Sequence, residues 1–142
     1  MKNQLHTTYL FRGFGLDLDT HSIDKLFTTY LKLQYIKPKR IEIYRTKRGY
    51  HIYVYTQRPL LPHENLTLRY YFGDDPGRIF YDEHFRPVHW WDTFFKIKIN
   101  MRTGEVSREE KLTHLPHPWW ISRLPRGYYV NINCKRKTRT NV

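Results

Sequence analysis

Ile41-Glu42-Ile43-Tyr44-Arg45 and Tyr50-His51-Ile52-Tyr53-Val54-Tyr55-Thr56 are two alternating runs held apart by Thr46-Lys47-Arg48-Gly49. Successive side chains of a strand point to opposite faces, so runs of this kind have one apolar and one polar side. Two of them around a short turn containing glycine predict a β-hairpin, with Gly49 supplying a left-handed position where the turn needs one. Tyr50, Ile52 and Val54 then face a core, and His51, Tyr53 and Tyr55 share the other face. Upstream, Leu16-Asp17-Leu18-Asp19 repeats the alternation. Leu16 and Leu18 join the core set, while Asp17 and Asp19 join His51 and the tyrosines.

The remaining segments fit around this hairpin. Residues 9 to 19 read as a strand that Gly13 and Gly15 allow to bend or to approach a neighbour closely. A helix is expected over about 21–34, because Ile23, Leu26, Phe27, Tyr30 and Leu31 fall on one helical face. Thr20 or Ser22 can cap it, and Asp24 suits its first turn. A second helix is expected over about 62–72, with Pro62 at its start and Gly73 at its end. Asp74, Asp75, Arg78 and Asp82 read as turn residues after that helix. From Asp92 to Ile99, Phe95, Ile97 and Ile99 alternate with Asp92, Phe94, Lys96 and Lys98, which predicts a fourth strand. The order β-α-β-β-α-β is that of an α+β, ferredoxin-like or RRM-like core with one open sheet face. It occupies residues 1–100. Residues 101–142 are expected to form a basic, aromatic C-terminal extension, with one further strand suggested by Arg126-Gly127-Tyr128-Tyr129-Val130-Asn131-Ile132. Its last residues carry Lys135, Arg136, Lys137 and Arg139 with no acid, the composition of a tail that is disordered until it meets phosphates.

Composition narrows the function. Among 142 residues, 25 Lys and Arg oppose 13 Asp and Glu, a formal charge of +12 that points to a polyanionic partner. Aromatics make up 17%, with 12 tyrosines. Cations for phosphates and rings for bases are what a single-strand binder needs, although a heat-adapted protein can share this composition. The lone Cys134 can close no disulfide within the chain, and no apolar run is long enough to span a bilayer. A cytoplasmic protein without a membrane partner is expected. Ser-His-Asp patterns, phosphate-cradling glycine loops and His-Glu-x-x-His are absent from the sequence.

Two aspartates separated by one strand residue project from one face about 6–7 Å apart. That arrangement suits Mg²⁺ or Mn²⁺, which prefer carboxylate and phosphate oxygens. Asp17 and Asp19 are therefore candidate metal ligands, with Asp92 as third carboxylate, and Asp17, Asp19 and His51 are the candidate catalytic residues of an active enzyme. The bland alternative is that the aspartates end a strand and His51 is structural. Nucleic-acid contacts are expected from Tyr53, Tyr55 and Phe94 by stacking. Arg48, Lys96, Lys98, Lys135, Arg136, Lys137 and Arg139 would hold phosphates.

Leu16-Asp17-Leu18-Asp19 followed by Arg45-Thr46-Lys47-Arg48-Gly49-Tyr50-His51 resembles the first two motifs of the archaeo-eukaryotic primase superfamily. Leu68-Arg69, Gly73-Asp74-Asp75-Pro76-Gly77-Arg78-Ile79, Asp82 and Trp91-Asp92-Thr93-Phe94-Phe95-Lys96-Ile97-Lys98 are similar to small primase-palm-like proteins of thermophilic archaea and their viruses and plasmids. The resemblance covers about residues 9–99. It implies an RRM-like palm in which Asp17 and Asp19 match metal ligands and His51 matches a residue contacting nucleotide phosphates. The third carboxylate lacks a secure counterpart, with Asp92 ahead of Asp82, and the chain is too short for the additional subdomain of full primases. The leading expectation is a nucleic-acid-binding protein, single-stranded DNA or RNA favoured, serving replication or nucleic-acid handling in an archaeal virus or plasmid. A metal-dependent nucleotidyltransferase or nuclease is the alternative, and a structural or assembly protein, including a homo-oligomer, is the third.

Overall fold

The computed structural model describes residues 9–93 and 97–120. Strand β1 spans Phe11–Leu18, helix α1 Ile23–Leu33, β2 Arg40–Arg45, β3 Tyr50–Leu60, helix α2 Pro62–Tyr71 and helix α3 Pro76–Phe85. Three short strands follow: β4 Ile97–Ile99, β5 Val106–Arg108 and β6 Glu110–Lys111. The main sheet is four-stranded, open and antiparallel, in the order β1-β3-β2-β6. With three α-helices among the described residues, this is an α+β architecture consistent with a ferredoxin-like fold.

The alternation in sequence builds this sheet. Leu16, Leu18, Tyr50, Ile52 and Val54 are all buried, and with Phe14, Leu26, Phe27, Leu33 and Phe72 they form the core. Apolar side chains on one face of α1 and one face of the sheet leave water together, and that burial drives their packing. The Ser22 side chain accepts the Lys25 N–H at the start of α1, satisfying a helix-end donor. Gly73 ends α2 with φ 89°, as its position after the helix requires. Gly49 serves a different purpose from the expected one. Its φ is not positive, but a Cβ there would run into the Leu18 carbonyl and the Thr20 backbone. It lets the β2–β3 turn pass close under the end of β1.

Two expected elements differ. Asp75 and Arg78 do not lie in a simple turn: α3 begins here, with Pro76 at its first turn and the Asp75 side chain accepting the Gly77 N–H. Its inward residues include Ile79 and Asp82, so no apolar stripe reveals it in the sequence. The fourth strand expected over 92–99 is also replaced. Asp92 has a left-handed φ of 62°, and Ile97–Ile99 pairs with Val106–Arg108 in a separate two-stranded hairpin.

Side chains take the place that a fourth strand would occupy beside β1. Asn65 Nδ2 donates to the Gly13 carbonyl at 3.0 Å, and the Gly15 N–H donates to Asp92. Arg78 donates to the Gly15 carbonyl at 2.9 Å, and the Asp17 N–H donates to Asp74 at 2.8 Å. An unpaired strand edge exposes backbone donors and acceptors that demand partners. Here helices α2 and α3 and the Asp92 turn supply them.

Residues 106–120 add to the sheet and core. Tyr44 and Arg45 pair with Lys111 and Glu110, and Leu112 N–H donates to the Ile43 carbonyl. Leu115 is 1% exposed within the core, and Trp120 Nε1 donates to Asp24 at 2.8 Å. The strand suggested at 126–132 and the basic tail lie outside the described residues. Among the described residues no helix is long and apolar enough to cross a membrane.

Candidate functional site

The β1–β3 register sets Asp17 directly opposite His51, and β2 sets Tyr44 on the other side of His51. The next pairs along are Glu42 with Tyr53 and Arg40 with Tyr55. These are the residues that alternation assigns to the face away from the core. Tyr44 and Tyr53 meet edge to face at 5.3 Å, and the Arg40 guanidinium lies over the Tyr55 ring at 4.1 Å.

At the Asp17 end this face is roofed by the chain between β5 and β6. Glu109, whose side chain is 4% exposed, places Oε2 2.8 Å from His51 Nδ1, and the Tyr53 hydroxyl donates to Glu109 at 3.4 Å. On the other side of the imidazole, Asp17 Oδ1 lies 3.7 Å from Nε2. His51 is therefore buried between two carboxylates rather than presented on an open face. Asp17, Asp19, His51, Asp75, Glu105 and Glu109 share a cleft of about 420 Å³ with Thr46, Lys47, Arg48 and Arg108. Lys47 is paired with Glu105 at 3.1 Å.

The electrostatics follow from burial and these acids. Tyr53 is held well above the ordinary phenol value, first by burial and then by the Glu109 carboxylate. Tyr44 is raised as well, by loss of water and by Glu42 and Glu109. Beside β1, Arg69 is fully buried, with Nε 2.8 Å from Asp74 and a terminal nitrogen 2.9 Å from Asp82. Arg78 lies 2.8 Å from Asp92 and 3.1 Å from Asp74, and Arg86 lies 3.2 Å from Asp82. Three arginines thus answer three aspartates. Burial works against the charge of Arg78, but Asp74 and Asp92 outweigh it and raise its pKa. Burial raises Asp74, with Arg78 and Arg69 pulling the other way.

The structure brings Asp17, Asp19 and His51 together, with Arg48 at the same cleft, but it places Asp92 elsewhere. That carboxylate is committed to the Gly15 and Asn65 N–H groups and to Arg78. Among the described residues no three His, Cys, Asp or Glu side chains are placed to hold a metal ion. Asp92 is thus not grouped with Asp17 and Asp19, and the second carboxylate beside the imidazole is Glu109. In sequence Glu109 sits in the mixed-charge stretch Arg108-Glu109-Glu110-Lys111, which carries no pattern that singles it out. Phe94, Lys96, the side chain of Lys98, and Lys135, Arg136, Lys137 and Arg139 lie outside the described residues.

No protein-family model matches the chain, and no solved structure matches it. A segment of 56 residues is 46% identical to an uncharacterized protein, ORF116, of Acidianus filamentous virus 2 (isolate Italy/Pozzuoli). The match covers 37% of this chain and 46% of the viral protein, so the chain spans less than half of that relative. What these comparisons establish is similarity, over part of its length, to a small protein of an archaeal virus.

Proposed function

We propose that this protein binds single-stranded nucleic acid across the outer face of β1, β3 and β2, in the nucleic-acid handling of an archaeal virus. The observation that carries this reading is the row of Tyr44, Tyr53 and Tyr55 on one face, with Arg40 stacked on Tyr55. Rings supply sequence-tolerant stacking for bases, and guanidinium groups supply phosphate contacts. The charge of +12 favours the same partner. A primase-palm ancestry is compatible with the β1-β3-β2 core and belongs to this reading as its finer form.

Titration of labelled single-stranded and duplex oligonucleotides at several salt concentrations tests it. Single strands should bind more tightly, and affinity should fall steeply as salt rises because condensed counterions are released. Affinity that stays constant between about 50 and 500 mM salt would refute the electrostatic part. Replacing Tyr55 by Ala should weaken binding by roughly 5- to 150-fold, the loss of about 1–3 kcal/mol of stacking.

A catalytic reading draws on one observation, the buried Glu109 that fixes the orientation of His51 with Nε2 toward Asp17. A carboxylate-oriented imidazole is suited to proton transfer. Running the same titration on a denaturing gel separates the readings. Extended or shortened product that disappears in His51→Gln would favour the enzyme, and an intact oligonucleotide favours the binder. A chain that binds no nucleic acid leaves the assembly role.

A further inference from the structure

At the end of the sheet opposite His51, β1 and β3 lose their regular register. Phe11 pairs with Leu60 and Gly13 with Tyr55, so Thr56 to Pro59 loop out opposite Arg12. Beside this bulge is a groove of about 440 Å³ lined by Arg12, Lys39, Arg40, Tyr55, Thr56, Gln57 and Pro59. The lining contains three cations and no acid. That is unlike the cleft around His51, where carboxylates outnumber cations.

The cations come from different segments on a pinned framework. The Thr56 hydroxyl bonds the Arg12 and Arg58 carbonyls at 3.1 and 2.7 Å, tying β1 to the bulge of β3. The Lys39 N–H donates to the Tyr55 carbonyl at 2.7 Å, tying the start of β2 to the same place. The Arg40 guanidinium carbon lies over the Tyr55 ring at 4.1 Å. Arg40 also has Glu42 at 3.3 Å, yet its side chain is 58% exposed, and Glu42 is shared with Lys111 at 3.7 Å. A guanidinium positioned by an aromatic ring loses less freedom on making two-pronged hydrogen bonds to phosphate oxygens.

We propose that this groove is a binding site for a phosphate monoester, the terminal phosphate of a strand lying across the sheet. The dianionic end group has a higher charge than an internal phosphodiester, and three cations from separate segments reward that difference. The proposal rests on the nucleic-acid reading above for the origin of the phosphate. The site itself is defined by the groove alone.

The experiment compares otherwise identical single strands with 5′-phosphate, 3′-phosphate or only hydroxyl ends, together with adenosine monophosphate and inorganic phosphate, on the full chain. One phosphorylated end should bind about tenfold more tightly than the hydroxyl-ended strand, the size of one charge-assisted hydrogen-bond set. Arg12→Gln and Lys39→Gln should each reduce that preference while changing hydroxyl-ended binding much less. These side chains are exposed, and unchanged melting temperatures will show that the variants fold. Equal affinity for all ends would overturn the proposal while leaving strand binding intact. An equal loss for phosphorylated and hydroxyl-ended strands in the variants would overturn it too, making the groove a general backbone contact. Binding of adenosine monophosphate and phosphate that the variants abolish, with no strand bound, would uphold the site and remove the strand reading.

Discussion

At the residue scale, His51 shows how position and partner differ as sources of information. Its place on the Asp17 side of the sheet follows from counting by twos along β1 and β3. Its burial follows from Glu109, 58 residues away, folding over it. The same carboxylate sets the behaviour of Tyr53. Burial and Glu109 raise the folded-state pKa of Tyr53 above the unfolded value of 10.0. The unfolded chain therefore releases this proton first, so the stabilisation is present below pH 10 and declines as pH rises above it. Tyr53→Phe cannot ionise and should lose less stability than the parent between pH 10 and 11.5, measured by denaturant titration followed by circular dichroism. Phenolate absorbance should show one fewer late-titrating tyrosine in the same variant.

At the element scale, the edge of β1 sets the terms. A strand there would carry its own apolar alternation, but the chain covers the edge with Asn65, Asp74, Arg78 and Asp92, held in place by Arg69. Such a buried set is intolerant of losing one member, because the remaining charges are stranded away from water. Arg69→Met should destabilise the fold by about 3–5 kcal/mol, read from urea unfolding. Because Asp74 also receives the Asp17 N–H, the variant should disturb the amide resonance of Asp17. A change of similar element but smaller kind is the cap of α3. Asp75→Ala removes the acceptor of the Gly77 N–H and should cost about 1 kcal/mol in the same measurement.

At the scale of the whole molecule, residues beyond 100 decide whether the sheet has three strands or four and whether the His51 end is open or roofed. Leu115 is the test of that integration. Its side chain is buried with Leu26, Phe27 and Leu33, so Leu115→Ala should cost about 2–5 kcal/mol in thermal or urea unfolding. A loss below about 0.5 kcal/mol, the range of surface substitutions, would place the segment outside the cooperative unit. The molecule is also polarised along its sheet. One end gathers Asp17, Asp19, His51 and Glu109, and the other gathers Arg12, Lys39 and Arg40.

By itself the sequence determined the β1–α1–β2–β3–α2 order and the division of the sheet into two faces. Both are local: apolar residues at every second or at every third and fourth position commit a segment before it meets any other. It also determined the basic charge and the pairing of Asp17 with His51, since residues of one parity on paired strands must share a face, whereas Asp19 lies beyond the end of β1. Helix α3, the side-chain cover of β1, Glu109 and the anion groove were decided only by the tertiary structure. Asp74 and Asp82 look like solvated turn residues because their partners, Arg69 and Arg78, are charged rather than apolar and leave no periodic trace. Glu109, Arg12 and Lys39 are ordinary surface residues in one dimension. They acquire roles only where distant segments converge, and convergence of this kind is fixed by packing and by the need to satisfy buried polar groups, not by any pattern along the chain.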